Sequence, residues 1–360
     1  MIFVHENTEG MAWSLSAKDI LLQGIAGAVV TFTVQMDGQS VITFELIPLD
    51  GKITLSLRGL LEAILPVETG LDPMLSGMAV RSGAHIVSIS AEDDLDNTAS
   101  MSLTCFRGGI DESAGNGKTT RWLSWKPQVS QTFRWGRELL SLLLMPGYES
   151  SQVRVTIYYL YHSPETVVLA AAPTVINAKP CIWNYDCSYE TIAELGTYSE
   201  EDTIVAYDVT MGALPRRRFI IGDTDKRGRE FVFQNSMGVL DTLFTTGEIK
   251  EEHETEIATA KVDNRETEIA NTFTARQKVT TGLLQKEREI TNLYDFLRSN
   301  ERYVLSPDVV AKRIVVDSTE SDIAFGQPSG ASITFHLADG FSGGYYEDKN
   351  LGEYEFTSAE

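Results

Sequence analysis

The sequence predicts a mainly β protein built of antiparallel sandwich-like or barrel-like domains with a few short helices. Three observations lead there. Segments that alternate apolar and polar residues recur along the 360 residues, Asp-Gly pairs punctuate them, and only two stretches space their apolar residues as a helix does.

Val30–Met36 (VTFTVQM) alternates, Asp37-Gly38 follows, and residues 41–46 (VITFEL) resume the alternation. Asp-Gly favours the hairpin turn whose twist matches the flanking strands. A second pair, Asp50-Gly51, leads into Lys52–Leu55 and predicts a three-stranded meander. Ser56 is placed to cap a short helix carrying Leu57, Leu60, Leu61 and Ile64, which Pro66 ends. Strand patterns return at 85–91 (HIVSISA) and 99–106 (ASMSLTCF), joined by the acidic, turn-prone residues 92–97, and again at 154–161 (RVTIYYLY) and 166–170. The stretch around Cys181 and Cys187 reads as irregular. Further strands are expected at 203–209, Arg217–Ile221 and 230–234.

Residues 248–279 carry Glu-Thr-Glu-Ile-Ala twice, at 254–258 and 266–270, and their frequent threonines point to long solvated strands. A helix at about 287–298 places Ile290, Leu293, Tyr294 and Leu297 on one face. Residues 312–316 and 331–335 read as closing strands. The expected organisation is a β domain over 1–172, a second β-rich domain over 173–339 with its boundary near Pro173, and a mobile or partner-ordered tail over 340–360, rich in glycine and acid.

Thirty basic against fifty-one acidic residues give a net charge of −21, which repels phosphate backbones, so nucleic acid is not an expected partner. No apolar run is long enough to span a bilayer as a helix. The opening residues, with Glu6 and Glu9 where a secretion signal would be apolar, predict synthesis in the cytoplasm.

Catalytic, cofactor and metal readings each fail a test. Gly115-Asn116-Gly117-Lys118-Thr119 imitates a phosphate loop, yet Glu112 stands where the first glycine belongs, and the following segment, with Trp122, Trp125 and Pro127, is unsuited to open a helix. His5, His85, His162, His253 and His336 are scattered without metal-ligand spacing. Cys181 and Cys187 fit two metal ligands, a disulfide or a plain structural loop, and the plain loop is the reading taken. Acidic pairs such as Asp93-Asp94 and Glu251-Glu252 point to opposite faces of a strand, and no serine sits in a Gly-x-Ser-x-Gly elbow.

What remains is recognition. Trp122, Trp125 and Trp135 are candidate interface anchors, and Arg217, within Arg216-Arg217-Arg218, is a candidate grip on an acidic neighbour. Trp183, Tyr185 and Tyr189 form a candidate sugar-stacking platform.

Four segments occur in order along the chain: Arg107-Gly108-Gly109, then Trp125-Lys126-Pro127-Gln128, then Asn235-Ser236-Met237-Gly238, then Thr281-Gly282-Leu283-Leu284. This order resembles a family of tail structural proteins encoded by phages and prophages of anaerobic gut bacteria. Its pattern runs Arg-Gly-Gly, Leu-Thr-Trp-Gln-Pro-Gln, Asn-Ser-Leu-Gly-Gly-Phe-Asp-Thr and Thr-Gly-Tyr-Leu. Lys126 and Val239-Leu240 depart from it, where glutamine and glycine-aromatic are the family's residues. The resemblance implies a virion component of the tail tip or baseplate, made in the host cytoplasm. It would be an adaptor ring or fibre support that assembles with itself in a symmetric oligomer and with other tail proteins. It carries over no catalytic residue or cofactor. The alternative is a carbohydrate-binding module that reads host surface glycans.

Overall fold

The computed structural model describes residues 1–5, 10–66, 80–82, 84–109, 119–175, 179–198, 204–222, 228–262, 265–284, 286–305, 311–322 and 330–338. The loop 115–118 and the tail 340–360, both singled out in the sequence, lie outside the described residues.

The chain is mainly β, and its described residues form five open sheets. The first unit joins a short sheet, β1 (Ile2–His5), β3 (Ile20–Gln23) and β6 (Lys52–Leu55), to a five-stranded one. The latter runs β2 (Met11–Trp13), β9 (Thr98–Phe106), β8 (His85–Asp93), β4 (Val30–Met36) and β5 (Gln39–Leu46) in spatial order. The two share one core, to which β4 contributes Val30, Phe32 and Val34 while Thr31 and Thr33 face outward, as a strand's two-residue period requires. Helix α1 (Leu57–Ile64) closes that core with Leu57 and Leu61, and Ser56 stands at its N-cap without a side-chain bond.

Asp37 and Gly38 both take positive φ, 51° and 84°, the twisted turn that Asp-Gly favours. The second pair does not extend the meander. Asp50 and Gly51 also turn through positive φ, but β6 leaves β5 and pairs with β3. The reason is burial: β5 is exposed along almost its whole length, so a strand beside it would bury nothing, whereas β3 takes Ile53 and Leu55 into the core. Pro48, which has no N–H to continue a ladder, lies in the crossing.

The middle unit is again two sheets over one core. One runs β10 (Arg121–Trp122), β12 (Leu139–Leu144), β15 (Cys181–Asp186), β7 (Val80–Ser82). The other runs β11 (Val129–Thr132), β17 (Arg217–Ile221), β16 (Ile204–Thr210), β13 (Val153–Tyr159), β14 (Glu165–Ala170). Strands from both sides of Pro173 therefore share both sheets. A boundary there would cut through one core, because this proline lies in the crossing between β14 and β15, within one sandwich. Helix α2 (Tyr189–Leu195) follows β15, in the stretch the sequence left irregular.

The third unit is a seven-stranded sheet, β19 (Leu240–Thr245), β18 (Arg229–Gln234), β22 (Arg302–Leu305), β23 (Ala311–Asp322), β24 (Gly330–Leu337), β21 (Arg265–Thr280), β20 (Ile249–Val262). Helix α3 (Glu287–Arg298) packs on it through Ile290, Leu293 and Phe296. Tyr294, expected on that face, is 42% exposed. The threonine-rich repeats lie in β20 and β21, and before Gln277 β21 pairs only with β20 among the described residues. Among the described residues no helix is long and apolar enough to cross a membrane.

Candidate functional site

Three of the four segments that carry the resemblance lie far apart in sequence and meet at one buried junction of the three units. Its apolar part gathers Met11, Trp13 and Phe106 from the first unit, Leu123, Leu143 and Ile182 from the second, and Met237 and Val239 from the third. Trp13 and Phe106 stack at 4.7 Å.

The backbone closes around two glycines. Gly108 has φ +95° and Gly238 φ +82°, and a Cβ on Gly238 would fall 1.9 Å from the carbonyl oxygen of Arg107. Only a residue without a side chain fits either place. Gly109 N–H donates to the Ser236 carbonyl at 2.7 Å. Trp125 Nε1 donates to Ser236 Oγ at 2.8 Å, and Ser236 N–H to Asp295 Oδ2 on α3 at 2.9 Å. Asn235 folds its own turn, accepting from the N–H groups of Met237 and Val239 through Oδ1, and its Nδ2 donates to the Leu123 carbonyl at 3.1 Å. Thr281 binds the start of β24, Ala331 N–H donating to its Oγ1 at 3.0 Å. These bonds account for three of the four segments at one point and tie the fourth to the neighbouring sheet.

Beside them lies a polar cluster. The ammonium of Lys126 donates to Glu138 and to Thr242 Oγ1, with Asp241 Oδ1 at 3.6 Å. Ser124 Oγ donates to Asp241 Oδ2 at 2.8 Å. Glu138 and Asp241 are fully buried, and burial lifts the Glu138 carboxyl above its ordinary range although Lys126 lies against it. Glu230, accepting from Arg137 N–H, is lifted by burial to about 8. Asp295 is raised for the same reason. A cleft of about 110 Å³ opens onto the cluster, lined among others by Lys126, Phe133, Thr242, Phe244, Leu284 and Asn292.

The structure separates the sequence candidates. Trp122 is buried, edge-on to Tyr185, with Nε1 donating to the Pro215 carbonyl at 3.0 Å. Trp125 is half-buried in the junction. Arg217 is buried too, its guanidinium donating to the carbonyls of Ser124, Lys126 and Pro127. These three hold their own chain together rather than reaching outward. Trp135 is half-buried, stacked on Phe133 at 4.9 Å, and keeps a partial face. Tyr185 is 1% exposed, so it cannot stack on a sugar. Trp183 and Tyr189 are half-buried, and Arg134 lies over the Tyr189 ring at 5.9 Å. No disulfide joins Cys181 and Cys187, and among the described residues no group of His, Cys, Asp and Glu is arranged to hold a metal.

Sequence reasoning missed Lys126, Glu138 and Asp241 as a set. The available signal was a charge at an inward position of an apolar stretch: Lys126 after two tryptophans, Glu138 against the run 139–144, Asp241 within Val-Leu-Asp-Thr-Leu-Phe.

No protein-family profile matches the sequence. No curated protein matches it either. Among solved structures, one chain from the virion of a native gene transfer agent particle is 10% identical with a TM-score of 0.21, covering 27% of this chain and 84% of that one. A chain from the tail of an empty particle of that kind, solved with C6 symmetry, is 11% identical with a TM-score of 0.24, covering 32% and 95%. An ICAM-5 ectodomain fragment is 13% identical with a TM-score of 0.17, covering 71% and 70%. Each of these TM-scores lies well below the level of a shared fold.

Proposed function

We propose that this chain is a non-enzymatic structural subunit of a phage tail, repeated at the tail tip or baseplate as an adaptor or fibre support, and that it works through surfaces. The observation that carries the reading is the convergence of three of the four ordered segments. Arg107-Gly108-Gly109, Trp125-Lys126-Pro127-Gln128 and Asn235-Ser236-Met237-Gly238 are bonded to one another in the fold, and Thr281 of the fourth, tied to β24, lines the same cleft as Lys126.

The surfaces support it. Among the described residues strand β5 is an uncovered sheet edge with Val41 and Ile42 exposed, and the crossing after it presents Ile47 and Leu49, each 79% exposed. Unpaired edges and exposed aliphatic side chains are what subunit contacts cover. The partners are further copies of the chain and other tail proteins, and the site of action is the virion, after synthesis in the host cytoplasm.

The test is light scattering and electron microscopy of the purified chain, alone and co-expressed with the neighbouring tail genes. The expected result is a ring or a co-assembly that Ile42→Lys weakens at least tenfold without lowering the melting temperature, as removal of an interface anchor does. A strictly monomeric chain that captures no tail protein overturns the proposal. Glycan-array binding lost on Trp183→Ala would replace it with the carbohydrate-binding reading.

A further inference from the structure

We propose that Lys126 and Asp241 become covalently joined, by an amide between Lys126 Nζ and Asp241 Cγ that the protein forms on itself with Glu138 as proton carrier. This goes beyond the role in the tail and does not depend on it.

The three groups are in place. Lys126 Nζ lies 3.6 Å from Asp241 Oδ1 and donates to Glu138 Oε1, and the side chains are 10% exposed for Lys126, 1% for Glu138 and 0% for Asp241. The Asp241 carboxyl is held for attack from both sides: Thr242 N–H donates to Oδ1 at 2.9 Å, while Ser124 Oγ and Asn235 Nδ2 donate to Oδ2 at 2.8 and 3.4 Å. Donors fixed on a carbonyl oxygen stabilise the charge it gains when a nucleophile adds. Lys126 Nζ also lies 5.3 Å from the centroid of Phe244, whose ring helps keep water off the amine.

As separate ions the cluster is poorly balanced. One ammonium faces two buried carboxylates, and Arg217 beside them commits its NH groups to backbone carbonyls. Glu138 Oε2 is buried with no hydrogen bond of good geometry among the described residues, the Thr132 hydroxyl being a weak partner, and burial still raises the carboxyl's pKa, the condition of a group that holds or relays a proton. Uncompensated buried charge is costly. Condensation removes the Lys126 ammonium and the Asp241 carboxylate together and leaves Glu138 as the one acid of the three.

The step balances without an oxidant or co-reactant. Lys126 gives one ammonium proton to Glu138, and the freed amine adds to Asp241 Cγ, making the C–N bond. Glu138 returns that proton to Asp241 Oδ1. It then takes a second proton from nitrogen and delivers it to the same oxygen, which leaves as water as the C–O bond breaks. The cleft at Lys126 and Thr242 gives the water a way out.

Intact-mass spectrometry of the denatured chain decides it. The expected mass is below the sequence mass by one water, and a tryptic digest yields a branched peptide linking the Lys126 and Asp241 segments. Lys126→Arg and Glu138→Gln restore the full sequence mass of each variant. Asp241→Asn loses ammonia in place of water and ends at the same mass as the cross-linked parent. If the parent folds, as circular dichroism reports, and its mass is that of the sequence, the proposal fails. A branched peptide through Glu138 instead of Asp241 overturns it equally.

Discussion

Gly238→Ala tests whether the junction depends on backbones in direct contact. Two costs apply at this position. Its φ of +82° lies in the left-handed region, where a side chain costs about 1–2 kcal/mol. The new Cβ would also stand 1.9 Å from the Arg107 carbonyl oxygen and 2.5 Å from its carbon, so the two backbones must separate. Forcing a methyl group into packed structure adds about 1–3 kcal/mol. The expected loss is the sum, about 2–5 kcal/mol. Gly38→Ala is the control, for Gly38 has φ +84° and a Cβ there would meet nothing within 4 Å, leaving only the strain. Alanine restricts the unfolded chain equally in both variants, so that effect cancels in the comparison. Urea unfolding followed by tryptophan fluorescence reports the difference, because Trp13 and Trp125 lie in or beside the junction. If the two variants lose stability to the same extent, the close approach of Gly238 to Arg107 carries no energetic weight and the reasoning is refuted.

Two further outcomes follow from the buried groups. Glu230 has its carboxyl raised from 4.5 to about 8, so the folded chain holds a proton that the unfolded chain releases; its contribution is complete below pH 4.5 and is lost as pH rises towards 8. Glu230→Gln should therefore flatten the decline in melting temperature across that interval, and an unchanged slope would show that Glu230 does not titrate there. Burial pushes the Cys105 thiol up to about 12 and raises Cys187 well above its ordinary value, and all three cysteines are buried. A thiol reagent at neutral pH should label none of them in the folded chain and all of them in urea, whereas rapid labelling of native protein would contradict the packing around β9 or β15.

Strands with one wet face were legible in the sequence because burial imposes a period of two. The β4 hairpin, β8, β9 and β13 fall where alternation and the Asp-Gly turn put them. Two strands covered on both faces were missed: β12 (Leu-Leu-Ser-Leu-Leu-Leu) and β15 (Cys-Ile-Trp-Asn-Tyr-Asp) are buried almost throughout, so neither alternates and neither announces itself. The same blindness misplaced the division near Pro173, since strand pairing between distant segments leaves no local trace. Tyr185 shows the limit for sites. An aromatic residue in a polar neighbourhood looks available for stacking, and only the partner strand and Trp122 reveal that its face is taken. The junction itself was legible as motifs but not as a place, because order along a chain says nothing of distance.

The junction has a consequence for how the protein is made. Ser124 and Asp241, which it bonds, stand 117 residues apart. At a synthesis rate of about 5–20 residues per second, the first partner waits on the order of ten seconds for the second to leave the ribosome. Through that interval the first unit already has its core, yet Trp13 and Phe106 lack the cover that Met237 and Val239 later bring. The most exposed moment of this chain falls during its synthesis, and the glycine turn at Gly238 is what ends it.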